Sequence, residues 1–259
     1  MKINCKICNN IIPIFQSGII LKKYRINYFH CEVCGYIQTE KPYWLSEAYK
    51  NPINLSDTGL VSRNIYFSQK VASILYFFFD KTGQYLDYAG GYGIFTRLMR
   101  DYGFDYYSYD PYCENLVARG FEGDISNKYK LVTAFEVFEH FENPIVELEK
   151  LLAMSDSILF STETYLYNPP NLNDWWYYGL EHGQHVGIYS YKTLKYLANK
   201  YNLNLYTNKK SFHLITKRKI NRILFFIITK LSNHGLFSIV KRNLISKTQT
   251  DRLSLKVEY

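Results

Sequence analysis

Residues Leu86-Asp87-Tyr88-Ala89-Gly90-Gly91-Tyr92-Gly93 constrain this chain more than any other stretch. Ile94-Phe95-Thr96-Arg97-Leu98-Met99 follows at once, so a strand, a glycine turn and a helix succeed one another without a linker. A turn of this kind needs small residues, because a Cβ would collide with a ligand approaching the backbone. The helix behind it begins with N–H groups that have no partner within the helix. A dinucleotide fold asks for G-x-G-x-x-G, and Gly91-Tyr92-Gly93-Ile94-Phe95-Thr96 lacks the third glycine. An acid, Asp87, precedes the glycines.

Downstream, strand and helix patterns alternate, which is the signature of a parallel sheet covered by helices. Strands are expected over 84–88, 105–109, 130–136 and 157–162, with a further strand end near Phe121-Glu122-Gly123-Asp124-Ile125. Helices are expected over 94–102, after Asn143-Pro144 and over 192–201. The second strand ends in Asp110-Pro111, 23 residues beyond Asp87. An acid there reaches the ribose of a nucleotide held at the first turn, because parallel strand ends share one crevice. Segments 203–207 and 212–216, joined through Asn208-Lys209-Lys210, read as a closing antiparallel hairpin. Asn168-Pro169-Pro170 reads as a loop.

The set Asp87-x-Ala89-x-Gly91-x-Gly93, Tyr109-Asp110-Pro111, Gly123-Asp124 and Thr133-Ala134-Phe135-Glu136-Val137-Phe138-Glu139-His140 resembles class I S-adenosylmethionine (SAM) dependent methyltransferases in order and spacing. Ala89 stands where the usual motif has its first glycine. The resemblance covers about residues 80–216 and implies a Rossmann-like α/β fold with a mostly parallel seven-stranded sheet and an antiparallel last strand. It implies a cofactor site in which Asp87, Ala89, Gly91 and Gly93 hold the methionine part and Asp110 and Pro111 the ribose. Asp124 and Ile125 would take the adenine edge, and Phe135 and Glu136 would complete the site. In such proteins Glu139-His140 starts a helix and supports the fold.

Four of the five cysteines fall in two C-x-x-C knuckles, Cys5/Cys8 and Cys31/Cys34, separated by 22 residues with β-rich segments between them. Two such pairs close a tetrahedral thiolate site, as in a zinc ribbon, and a four-thiolate site has no open position for a substrate. The expectation is structural Zn2+ on Cys5, Cys8, Cys31 and Cys34, with Gly35 supplying a turn and Cys113 an ordinary thiol.

The segment 175–190 concentrates aromatics, Glu181, His182 and His185 in a glycine-containing loop. A sugar hydroxyl is a poor nucleophile until a base takes its proton, and a neutral imidazole can do so. His185, followed by an apolar stretch and Tyr189-Ser190, resembles the segment in which zinc-ribbon sugar methyltransferases carry a histidine base. Gln184 replaces the glutamate of that segment, so Glu181 is expected to orient the imidazole, with His182 beside it.

The domain plan is therefore a zinc ribbon over 1–45 and a linker and helical lid over 46–80. A cofactor-binding domain over 81–216 and a basic extension over 217–259 complete it. The lid helix is capped by Ser56 or Asp57, runs to about Phe79, and shows an apolar face at Val71, Ile74, Leu75 and Phe78. Thr58-Gly59 and Arg63-Asn64 either fold over a cofactor or stand in solvent.

Net charge is +8, and ten of the 31 basic and two of the 23 acidic residues lie in 217–259, leaving 21 of each elsewhere. The tail carries the whole excess, which fits a phosphate-bearing substrate, nucleic acid, a membrane surface or a solvated basic face. No apolar run reaches the roughly 18 residues of a spanning helix, and no signal-peptide pattern is present, so a cytoplasmic protein is expected. The chain looks most like bacterial enzymes that decorate surface-glycan precursors, and this resemblance implies an O-methyltransferase acting on a hydroxyl of a sugar or phosphorylated small molecule. Its acceptor is anionic, a nucleotide sugar or a phosphorylated metabolite. The alternatives are an rRNA or tRNA base methyltransferase and a non-enzymatic zinc-stapled scaffold.

Overall fold

The structure is a computed structural model that describes residues 1–50 and 57–255. In chain order the strands are β1 (Lys2–Asn4), β2 (Ile11–Ile20), β3 (Tyr24–His30) and β4 (Ile37–Thr39). Helices α1 (Leu45–Ala48) and α2 (Leu60–Phe78) precede β5 (Gln84–Tyr88), α3 (Ile94–Tyr102), β6 (Asp105–Tyr109) and β7 (Leu131–Ala134). Then come α4 (Pro144–Met154), β8 (Ser157–Ser161), β9 (Thr164–Tyr165), β10 (Gly187–Ser190), α5 (Tyr191–Lys200), β11 (Asn204–Thr207) and β12 (Phe212–Thr216). Helices α6 (Arg222–Leu231), α7 (Leu236–Arg242) and α8 (Thr248–Ser254) end the described chain.

The chain divides into two compact units. The first comprises Met1–Leu55, Phe135–Leu152 and Leu159–Lys217, and the second Ser56–Ala134, Ala153–Ile158 and Arg218–Tyr259.

In the second unit β5 lies between β6 and β7 and is parallel to both. Leu86, Leu131 and Val132 are fully buried, as expected of short strands covered on both faces. Helix α2 turns Val71, Ile74 and Leu75 inward, while Phe78, the fourth residue of the predicted stripe, is half-buried. Its start differs from expectation. The helix begins at Leu60 behind Gly59, while Asp57 pairs with both terminal nitrogens of Arg63 at 2.8 and 2.9 Å; Ser56 lies outside the described residues. A carboxylate engaged with a guanidinium is not available to cap backbone N–H groups.

The expected third strand is absent as a strand. Glu122 makes only an isolated parallel bridge to Ser108, so the sheet containing β5 has six described strands where seven were expected. The closing hairpin forms as expected, β11 pairing antiparallel with β12 from Asn204↔Thr216 to Thr207↔His213.

The basic tail packs within the second unit. Arg100 on α3 donates from Nε and Nη2 to the two carboxylate oxygens of Asp251 on α8, each at 2.8 Å, and its guanidinium lies 3.5 Å from the Phe121 ring centroid. Both side chains are buried, and each has a second partner, Arg100 with Asp105 at 2.8 Å and Asp251 with Arg97 at 2.9 Å, so the tail is held by a network of charges.

In the first unit β1, β2, β3, β4, β10 and β9 form one sheet in that order. Its core includes Ile26, Tyr28, Ile37, Trp44, Tyr178 and Ile188. Gly35, at φ 73°, makes the turn expected of it, and a Cβ there would stand 2.3 Å from the Ser190 hydroxyl.

Candidate active site

The glycine turn sits at the C-terminal end of β5 in the second unit. Gly90 is the residue that sterics demand, since a Cβ would come within 2.6 Å of both the Asp87 carboxylate and the Ser108 hydroxyl. Gly93 caps α3 with φ 81°, and a Cβ there would strike the Asn115 side chain. Ala89 adopts φ 56°, a left-handed conformation that glycine accepts without strain.

Beside this turn lies a cavity of about 280 Å³ whose walls include Gly91, Tyr109, Asp110, Asn115, Glu122 and Gly123. Asp110 is the polar centre of the wall. Its Oδ2 accepts the Gly91 N–H at 2.9 Å, and its Oδ1 accepts those of Tyr112 at 2.8 Å and Cys113 at 3.1 Å. A carboxylate offers about four lone-pair sites, so roughly one remains for a ligand hydroxyl.

Asp87 does not line this cavity. It is buried behind the turn and accepts a hydrogen bond from the Thr133 hydroxyl at 2.8 Å. Desolvation pushes its carboxyl up to about 7, with the Thr133 bond opposing and Asp110 adding to the rise.

Asp124 and Ile125 are the residues expected at the adenine edge. Glu122 and Gly123 line the cavity, whereas Asp124 and Ile125 do not. Ser108 and the 121–123 backbone exchange two hydrogen bonds, Ser108 N–H to Phe121 O and Gly123 N–H to Ser108 O, which hold this segment against the end of β6. Asp124 instead accepts the Ser126 N–H, the interaction that lowers its carboxyl below the usual range, and Ile125 stands half in solvent. Pro111 is exposed. Asn115 and Glu122 were not anticipated. No sequence signal marks them, because a loop, and not a repeating pattern, brings them to the wall.

Phe135 and Glu136 belong to the first unit. Phe135 stacks on Phe212 at 6.3 Å, and the Glu136 N–H donates to the Ser161 hydroxyl at 2.8 Å. Glu136 has φ 56°, the kind of backbone strain that collects at functional positions.

The first unit also gathers the histidines. Glu139, His140 and His185 each bring one donor atom within 4.8 Å of the others. The Nδ1–H of His185 donates to the Tyr177 carbonyl at 2.6 Å, which leaves Nε2 with the lone pair. His140 Nδ1 lies 3.1 Å from the Gln184 carbonyl and 2.9 Å from the Tyr49 hydroxyl. The Glu139 carboxyl is fully buried, with the Tyr177 and Thr162 hydroxyls among the groups acting on it. Desolvation, reinforced by Glu136, raises it to about 8. Desolvation also lowers His140 to about 4 and His185 well below its usual value. Burial thus favours the uncharged form of each member of the cluster: the protonated carboxyl and the neutral imidazoles.

This corrects the role expected of Glu181. Its side chain is exposed, and the carboxyl that stands beside His185 is Glu139. Gly179, at φ 61°, closes a tight turn with His182 N–H and Gly183 N–H both on its carbonyl, which sends Glu181 outward. His182 is near, its ring centroid 4.8 Å from that of His185, and it accepts the Gln184 N–H on Nδ1 at 3.2 Å. Of the neighbouring aromatics, Tyr177 and Tyr178 are core residues and Trp176 is 75% exposed.

The four knuckle cysteines converge, their sulfurs all within 4.8 Å of one another. Cys5 and Cys34 are 3.5 Å apart and Cys8 and Cys31 3.4 Å, and none is in a disulfide. The tetrahedral edge for Zn–S bonds of about 2.3 Å is about 3.8 Å, so the donor set fits a zinc ion. Contact with the Cys34 thiol, followed by backbone N–H groups of the first knuckle, lowers Cys5 to about 5 despite burial.

Among solved structures, the chain is similar to the magnesium protoporphyrin IX methyltransferase of Synechocystis PCC 6803 with bound SAM, at 12% identity and a TM-score of 0.40 over 67% of this chain and 90% of that one. It is also similar to an O-methyltransferase family protein from Burkholderia thailandensis, at 12% identity and a TM-score of 0.46 over 70% of this chain and 65% of that one. No curated protein matches the chain. The family described as methyltransferase domain matches residues 63–208, more than half of the sequence. The chain belongs to this methyltransferase family and is a SAM-dependent enzyme.

Proposed function

We propose that the protein transfers the methyl group of SAM to a hydroxyl of a sugar or phosphorylated small molecule in surface-polysaccharide biosynthesis. The observation that carries this reading is the Nε2 lone pair of His185, fixed by the Tyr177 carbonyl and standing next to the buried Glu139 carboxyl. SAM supplies an electrophilic methyl; what the acceptor oxygen needs is a group to take its proton. His185 Nε2 takes that proton, with the Glu139 carboxyl within 4.8 Å of the imidazole. Asp110 and the Gly91 turn hold the ribose and methionine portions of the cofactor. Zn2+ on Cys5, Cys8, Cys31 and Cys34 staples the β1–β4 region and takes no part in the chemistry. The sugar acceptor rests on the resemblance of the 185–190 segment, and the anionic character of the acceptor on that same class.

Incubation with methyl-labelled SAM and a panel of nucleotide sugars, phosphorylated metabolites and RNA tests the proposal. Label is expected in the oxygen-methyl fraction of a small molecule. Label in RNA bases alone would replace this reading with a nucleic-acid methyltransferase.

A further inference from the structure

The basic tail is not absorbed by methyl transfer. Helix α6 turns Phe225, Ile228 and Thr229 inward, with the Phe78 and Phe225 rings 6.2 Å apart. Its other face is also apolar. Ile223, Phe226, Ile227 and Leu231, spaced so as to share one side of a helix, are 72, 55, 44 and 44% exposed. A surface helix in water ordinarily carries its charges on this side. Ile239 on α7 adds 61% exposure, after a bend of 87° between the two helices. No single helix is long and apolar enough to cross a membrane among the described residues.

Charge selects the occupant of this face. From His182 to Thr250 the sequence contains no acidic residue, and Lys219, Lys230, Lys241 and Arg242 stand exposed along α6, α7 and the approach to them. A second copy of the same face would bring like charges together. Nucleic acid would meet the cations but would leave the aliphatic side chains without partners. An apolar helix face bordered by Lys and Arg matches the interface of an anionic bilayer, where aliphatic side chains enter the acyl boundary and cations meet phosphate headgroups.

We infer that α6 and α7 form a peripheral membrane-docking face that takes an anionic lipid surface. The helices lie in the interface plane and do not span it. This inference is independent of the acceptor proposed above, because it concerns where the enzyme works and not what it methylates.

Sedimentation of the full-length, zinc-loaded protein with phosphatidylcholine vesicles, with and without phosphatidylglycerol, tests it. The protein is expected to sediment with the phosphatidylglycerol vesicles and far less with neutral ones. Ile223→Asp/Phe226→Asp should lower the partition constant by about tenfold or more, since each substitution removes an apolar side chain from the acyl boundary. Both positions are exposed, so circular dichroism and thermal unfolding should match the wild type. Absence of wild-type binding to phosphatidylglycerol vesicles would overturn the inference. So would binding that the double substitution leaves intact, or a solution dimer that the same substitution converts to monomer, which would make the face a contact between copies.

Discussion

His185 Nδ1 lies 2.6 Å from the carbonyl oxygen of Tyr177, eight residues earlier in the chain. A carbonyl can only accept, so this contact sets the tautomer and leaves Nε2 as the basic atom. His185→Ala should lower kcat by about two to four orders of magnitude while leaving SAM affinity, measured by calorimetry, within twofold. Glu139→Gln keeps the shape but removes the carboxyl beside the imidazole, and should lower kcat in the same direction by a smaller factor. Full turnover of His185→Ala with the true acceptor would remove the histidine from the mechanism.

Asp110 ties three backbone N–H groups into the cavity wall. Hydrogen bonds to a charged group contribute about 1.5–3 kcal/mol each, so Asp110→Ala is expected to weaken SAM binding at least tenfold. Asp110→Asn retains one acceptor oxygen and should fall between the two. Calorimetric titration with SAM decides, and equal affinity in all three proteins would place the cofactor elsewhere.

The alternation that predicts β5, α3 and β6 is local, and those elements run over the expected residues. The cavity wall is different. Glu122 and Asn115 reach it through loop closure and through a single bridge between Ser108 and Glu122, contacts between residues 14 apart that no periodic pattern encodes.

Asp87 provides a pH test. Its carboxyl is raised from the ordinary aspartate value of 3.8 to about 7, with desolvation the largest cause. The folded state therefore prefers the protonated form. The resulting contribution to stability is complete below about pH 4 and is lost as pH rises through about 7. Asp87→Asn abolishes this titration. Urea unfolding at a series of pH values should show the variant gaining on the wild type between about pH 4 and pH 8. A difference that stays flat would mean that Asp87 is ionised throughout.

Ala89 holds φ 56° in the turn. Left-handed backbone costs a non-glycine residue about 1–2 kcal/mol, and glycine gives back part of that relief through the greater entropy of its unfolded chain. Ala89→Gly should raise stability by up to about 1 kcal/mol, visible as a higher midpoint in thermal unfolding. A lower midpoint would show that the alanine methyl contributes packing that outweighs the strain.

Zinc on the four knuckle cysteines should be measurable as one ion per chain in freshly purified protein. Its removal by a strong chelator, or Cys31→Ser, should unfold the β1–β4 region, because site and fold form together. Metal analysis and near-ultraviolet circular dichroism check this. Retention of native spectra after complete zinc removal would leave the ion without a structural role.

Short-range chemistry was readable from the sequence alone: the C-x-x-C pairs, the strand–glycine–helix turn, the α2 apolar periodicity and the basic excess of the tail. Each depends on residues within a few positions of one another, where backbone geometry and spacing suffice. Tertiary structure decided which carboxyl accompanies His185. Glu181 is four residues away in sequence, yet the left-handed turn at Gly179 sends it to solvent. Glu139, 46 residues earlier, is brought beside the imidazole by the packing of the core. Tertiary structure likewise decided that Asp87 lies behind the turn and that one face of α6 stays uncovered. Burial depends on what the rest of the chain leaves exposed, and a linear pattern does not contain that information.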